Sequence, residues 1–238
     1  AYHWPGRVER FSNALANRDW AATNQTGHPG VTTMWLGALG RQLAFARGMS
    51  DPGWAGGGAG YLAMLRLPLA CVNTLAVMLG FLLLRRLIPH GAALLGAVLW
   101  ATSPFLIAHS RLLHLDALLT SFMTLSILAL LVRGQETTRL RDQRTQTSVS
   151  SLIIDPSFLL IISACFGGLA LITKAPSLIL LPFIGLLLFI QQARNQNSKP
   201  QTSYKRMLLR LHNSHSTFIK SFSLFALWLG MALHTAWL

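Results

Sequence analysis

The sequence predicts an all-α fold, a polytopic helical membrane protein with about six transmembrane helices and interfacial helices on its outer face. Composition is the first reason. Of 238 residues, 52% are hydrophobic and only 11% charged, and the mean hydropathy is +0.46, a balance that a soluble domain of this length does not have. The second reason is spacing: apolar runs approaching or reaching the ~17 to 25 residues needed to cross a bilayer recur along the chain. The third is charge. The formal net charge of +13 falls mainly between those runs, where membrane orientation and anionic lipid account for it. No nucleic-acid partner is therefore expected.

Taken in order, residues 1–61 precede the first run and read as an outer-face loop carrying two interfacial helices. From Arg7 to Trp20, Val8, Phe11 and Leu15 recur at helical spacing, with Arg10, Asn13 and Asn17 on other faces. Pro29 opens a second helical stretch, PGVTTMWLGALGRQLAFA, residues 29–46. The glycine-rich DPGWAGGGAGY that follows lacks the Gly-Lys-Ser/Thr ending of a phosphate loop and reads as a connector. The spans are Leu67 to Leu84, Gly91 to Ala108, Leu112 to Val132, Phe158 to Thr173, Ala175 to Ile190 and Phe218 to Leu238. The resulting divisions are 1–61, three helices within 62–132, a cytoplasmic loop 133–157, a transmembrane hairpin 158–190 turning at Lys174, a second cytoplasmic loop 191–217 and a last helix 218–238. A single helix from Phe158 to Ile190 would be a rod of roughly 50 Å against a hydrocarbon core of ~30 Å, so a turn is favoured.

Alternating loops place twelve of the 20 basic residues on one side with three acids. By the positive-inside bias that side is cytoplasmic, which puts residues 1–61, the segment around His109 to His114 and the turn at Lys174 outside. The expected location is the cell inner (plasma) membrane. A chain that starts outside on Ala1, with no Met and no signal peptide, and stops within an apolar run at Leu238 reads as a fragment, with a helix expected before Ala1. Cys71 and Cys165 fall in separate apolar runs without metal-ligand spacing and read as core residues.

Few residues bear chemistry. Lys174 lies between two apolar runs in ITKAPSLILLP, where a cation suits a lipid phosphate or anionic headgroup; a snorkelling anchor is the plainer alternative. Asp116 is the one acid well inside an apolar span, in HSRLLHLDALLTSF, and an intramembrane carboxylate defaults to a functional hypothesis. If that stretch is helical, His109 and Asp116 share a face and Arg111 lies one turn from His114. The structural alternative is a packing pair of Asp116 with Arg111 or Arg66. An outer-face Asp with histidines offers donors for a divalent metal ion without specifying one, and no other cofactor is indicated. His28 beside a helix start suits an anion or a turn. His3, Trp4 and Arg7, in YHWPGRVERF, suit a headgroup or sugar, although interfacial tryptophan usually serves as an anchor.

Four motifs in order, AYHWPGRVERF, TGHPGVTTMWLGALG, SRLLHLDALLTSFMTLSILAL and LALITKAPSLILLP, resemble phospholipid carrier-dependent glycosyltransferases related to dolichyl-phosphate-mannose protein mannosyltransferases (family 39, of the multi-span C superfamily) and to the aminoarabinose transferase of lipid A. The resemblance covers roughly residues 1–190. It implies transfer of a sugar from a polyprenyl-phosphate donor to a lipid, protein or glycan acceptor at the outer face. It also implies an acidic pair in the first outer loop, acting as base or metal ligand, which would fall before Ala1. Asp116 is then the catalytic acid of the chain in hand, as a second carboxylate or as an orienting partner for Arg111 or His114, and Lys174 and Arg111, followed by Arg7 and Arg66, are the cations for phosphate, with His114, His28 and His3 as further substrate contacts. A remnant without the acidic pair, serving as an accessory subunit of a membrane-protein complex, is the alternative.

Overall fold

The computed structural model describes residues 3–25, 30–50, 58–143, 155–197 and 205–237, and all regular structure among them is helical. The helices are α1 (His3–Ala16), α2 (Val31–Ala46), α3 (Ala59–Leu87), α4 (His90–Ala101), α5 (Pro104–Ser110), α6 (Leu115–Gln143), α7 (Pro156–Thr173), α8 (Leu180–Asn197) and α9 (Lys205–Trp237), with short 3-10 turns at Ala21–Thr23 and Ala175–Ile179. Five segments are long and apolar enough to cross a membrane: Ala59–Leu87, Leu115–Leu140, Pro156–Thr173, Ala175–Arg194 and Thr217–Ala236. Taking α4 and α5 as one bent span gives up to six. The protein is a multi-pass helical membrane protein.

The break in the second span has a local cause. Pro104 has no N–H to donate and disfavours helical backbone at the residue before it. Ser103 accordingly sits at ψ 122°, and α5 leaves α4 at 49°. The third span begins at Leu115 and not at Leu112, because residues 111–113 form bends. Polar chain beyond the apolar runs is also helical: α6 continues to Gln143 and α8 to Asn197, since Arg, Gln, Glu and Leu are good helix formers.

The contacts divide the chain into two compact units, Ala1–Thr124 with Leu169–Ser177, and Leu125–Gly168 with Leu178–Leu238. In the first unit α1 presents Trp4, Val8, Phe11 and Ala14, all buried, at helical spacing. Val8 fills the space over Gly37 of α2, where a Cβ would stand 2.4 Å from its methyl carbon. Phe11 meets Trp35 edge to face at 5.4 Å. The helix stops at Ala16, short of Trp20, because Arg18 turns left-handed at φ 56°. Its N–H donates to the Leu15 carbonyl, and that of Asp19 to Ala14, which together close a Schellman cap. Gly48, at φ 72°, ends α2 in the same way, with Met49 donating to Ala44 and Gly48 to Phe45.

Helix α2 crosses α3 at Gly40, whose missing Cβ would lie 2.5 Å from the Met64 carbonyl oxygen and 2.7 Å from Leu65 Cα. The carbonyl is there for a reason. Pro68 sits inside α3, so the Met64 carbonyl loses its i+4 donor and the space beside it is open to a close approach by α2. A methyl group at position 40 meets backbone that cannot rotate away. Gly40→Ala is expected to destabilise the first unit by about 1–3 kcal/mol, read as a lowered midpoint of thermal unfolding in detergent; an unchanged midpoint refutes the close approach. The opposite face of α2 exposes Trp35, Leu39 and Leu43 in one stripe. In α3 and α4, exposed Leu75, Met78, Leu79 and Leu82, then Leu94, Leu95, Val98 and Leu99, form the kind of apolar surface that lipid covers.

The second unit is joined by polar atoms inside an apolar bundle. Ser126 Oγ of α6 donates to the Ser163 carbonyl of α7 at 2.8 Å, and Ser163 Oγ returns the bond to the Ser126 carbonyl at 2.8 Å. Trp228 Nε1 of α9 donates to Ser163 Oγ at 3.0 Å. Its indole lies over Gly167, where a Cβ would come within 2.3 Å. Small residues and hydroxyls that let helices approach closely are the usual cement of membrane bundles, where burial of apolar surface supplies little.

Candidate functional site

Within the first unit the two residues that stand out in the sequence come together. Lys174 Nζ donates to Asp116 Oδ1 at 2.7 Å, a charge-assisted bond of short length. Each partner is set at a helix end that suits its sign. Asp116 is in the first turn of α6, near the positive end of the helix dipole, and Lys174 follows the last residue of α7, near the negative end. The ammonium is 37% exposed and the carboxylate 23%, so the pair is half-buried and open to a ligand.

Position 174 is well fixed. Its N–H donates to Ala170 O, and its carbonyl accepts from both the N–H and the hydroxyl of Ser177. The neighbouring Thr173 hydroxyl donates to Leu169 O at 2.6 Å, so its 2.8 Å contact with Thr32 Oγ1 has Thr32 as donor. That bond ties α2 to the end of α7. On the α6 side, Ser121 Oγ donates to Asn73 Oδ1 of α3 at 2.9 Å. Gly30, before α2, would place a Cβ 2.9 Å from the Trp4 ring and 3.4 Å from Leu115 Cδ2. Trp4 is thus a packed core residue, 8% exposed, and not a free interfacial anchor.

The other oxygen of Asp116 faces two imidazoles. His114 Nδ1 lies 3.3 Å from Oδ2 and His109 Nε2 3.6 Å from it. His109 stacks on Phe105 at 4.3 Å, and its Nδ1 is 3.1 Å from the Phe105 carbonyl, which only accepts, so that nitrogen carries the proton. His114 Nδ1 accepts a long 3.4 Å bond from the Asp116 N–H. Burial pushes His114 below the ordinary histidine value; Asp116 opposes this shift, while His109 and Lys174 add to it. The shift favours the neutral ring.

This convergence is built by the break and not by a helix face. His109 ends α5, Asp116 begins α6, and the bends between them fold one onto the other. Arg111 therefore does not join His114 one turn away: its side chain is exposed and takes no partner among the described residues. The expected packing pair of Asp116 with Arg111 or Arg66 is not formed; Lys174 takes that place. Arg66 is half-buried in α3 with its Nε unpaired. Arg7 places its guanidinium 4.9 Å from the centre of the Trp4 ring, and through that ring it is joined to the packing around Gly30 and Leu115. His3 opens α1, but its side chain, like the whole of His28, lies outside the described residues. On an unbroken helix His109 would be only a helix-face neighbour of Asp116; Pro104, which forces the break, is the sequence signal for its actual place.

Among the described residues, His109, His114 and Asp116 are the group whose ligand atoms gather as a metal site requires, all within 4.8 Å of one another. No curated protein matches the chain, and no solved structure does. Residues 60–143 match the family model of the dolichyl-phosphate-mannose-protein mannosyltransferases, and this stretch contains α4 and α5 whole, nearly all of α3, α6 to its end, and three of the four clustered side chains. Over that stretch the chain is similar to the dolichyl-phosphate-mannose-protein mannosyltransferase family, and of the four ordered motifs SRLLHLDALLTSFMTLSILAL lies within it.

Proposed function

We propose that the protein is a membrane glycosyltransferase that moves a sugar from a polyprenyl-phosphate carrier to an acceptor hydroxyl at the outer face of the cell membrane. The observation that carries the proposal is the Lys174–Asp116 pair, 2.7 Å long and half-buried at the ends of two apolar helices, with Asp116 inside the family-matched segment. In the reaction the acceptor oxygen forms a bond to the anomeric carbon and its proton passes to a carboxylate base. The bond from that carbon to the carrier phosphate breaks, and the phosphate leaves with the electron pair. Charge grows on the departing phosphate, so a fixed cation at that point favours the transition state over the ground state. Lys174 supplies the cation. Asp116 holds the ammonium in place and keeps a flexible side chain from wandering.

Topology supports the same reading. The positive-inside bias, applied to the excess of basic residues on one set of loops, favours an outer position for the turn at Lys174 and the segment around His114. The exposed stripe Trp35, Leu39 and Leu43 suits α2 to the headgroup boundary, where a lipid donor meets a polar acceptor. Arg7 and Arg111 are proposed to attract anionic lipid and donor phosphate towards the mouth.

The full-length polypeptide from its native membrane, reconstituted in vesicles with radiolabelled polyprenyl-phosphate sugars and an extract of lipid and glycan acceptors, is expected to transfer label only when donor and acceptor share the outer side. Absence of transfer with every carrier-linked sugar supplied refutes the reading and favours an inactive accessory subunit.

A further inference from the structure

We infer that His109, His114 and Asp116 form a binding site for one divalent metal ion of the zinc class. His109 Nδ1 donates to the Phe105 carbonyl, so Nε2, 3.6 Å from Asp116 Oδ2, is the nitrogen placed to bind a metal. His114 Nδ1, 3.3 Å from the same oxygen, accepts only a long 3.4 Å bond from the Asp116 N–H, so this nitrogen also has a lone pair to offer. The three ligand atoms lie within 4.8 Å of one another, close enough for a single cation to bind all of them. The nearby Lys174 ammonium is engaged with the other oxygen, Oδ1, which leaves Oδ2 facing the two imidazoles.

Size favours the same conclusion. Ligands about 2.0–2.1 Å from a tetrahedral zinc lie roughly 3.3–3.4 Å from each other. The two observed edges to Oδ2 are 3.3 and 3.6 Å, and the third fits within the 4.8 Å that bounds the group. The weak 3.4 Å contact from the Asp116 N–H yields readily to a Lewis acid. Two imidazoles and a carboxylate suit zinc and its divalent neighbours and not calcium or magnesium, which take oxygen. Supporting bonds are also in place. The Phe105 carbonyl fixes the tautomer and orientation of His109, and Lys174 holds Oδ1 so that Oδ2 binds alone, the pattern of outer contacts that metal-bound His and Asp usually have. Three protein ligands leave a fourth position open for water or a phosphate oxygen.

The inference does not depend on the transferase reading. Untagged full-length protein, stripped with a chelator in detergent, is titrated with Co(II), and the visible d–d absorption of a low-coordinate complex is followed, with Zn(II) as competitor. Saturation at one equivalent per chain is expected, weakened more than about 100-fold in His109→Ala and in His114→Ala, since loss of a supporting contact alone typically costs 10–100-fold. X-ray absorption of the zinc-loaded wild-type protein, which requires no variant to fold, should show two imidazoles bound. Failure of the wild-type protein to bind, undiminished binding in both variants, or fewer than two imidazoles overturns the site. Metal binding without sugar transfer sinks the transferase reading alone, and transfer by protein that binds no metal sinks this inference alone.

Discussion

Replacing Lys174 with methionine is expected to reduce sugar transfer at least about 100-fold while the protein still inserts and accumulates in the membrane. Removal of one preorganised donor to a developing anion typically lowers turnover by about 10²–10³, and methionine keeps the length and apolar stem without the charge. The chain around position 174 is held by other bonds, from Ala170 to Ser177 and from Thr32 to Thr173, so the backbone has no cause to collapse. Lys174→Arg keeps the positive charge, but its planar fork does not place a donor where the compact ammonium sits, and partial activity is expected. Initial rates against donor concentration in reconstituted vesicles check both variants. Turnover at the wild-type rate in Lys174→Met would show that the ammonium is a snorkelling anchor, and the assignment would fail.

The membrane class was plain from composition and from the apolar runs, because lipid demands long helices with few charges and nothing local can override that demand. Helix ends were less legible. The first helix ends early because Arg18 takes a left-handed turn usually left to glycine, which no pattern of apolar residues announces. Pro104 was visible, but a window of hydropathy runs straight through the 49° bend it causes. The site shows the same division. Lys174 and Asp116 each stood out alone, since charge within apolar sequence is costly. Their contact joins residues 58 positions apart, and it depends on which ends of α6 and α7 adjoin, a tertiary fact. Arg111 and His114 looked like neighbours only on the assumption of a continuous helix; the bends at 111–113 send Arg111 to the surface and bring His109 in instead.

Asp116→Asn distinguishes a working pair from a packing pair. The amide keeps the shape of the carboxylate but loses its charge, leaving the Lys174 ammonium half-buried without a counter-ion and the two imidazoles without their anion. Transfer is expected to fall at least about 100-fold, within the range of 10²–10⁴ that positioned ionisable groups contribute, and the thermal midpoint in detergent is expected to fall too. Stability alone does not identify the role, because breaking any partly buried pair leaves an uncompensated charge, whereas replacing both members with neutral groups is often tolerated. The double variant Asp116→Asn with Lys174→Met therefore decides. If the pair exists only to pack α6 against the end of α7, the double variant regains the thermal midpoint and transfer returns with it. If the ammonium stabilises the leaving phosphate, the midpoint recovers while transfer stays at the level of Lys174→Met, a non-additive cycle in stability beside an unrescued loss of rate.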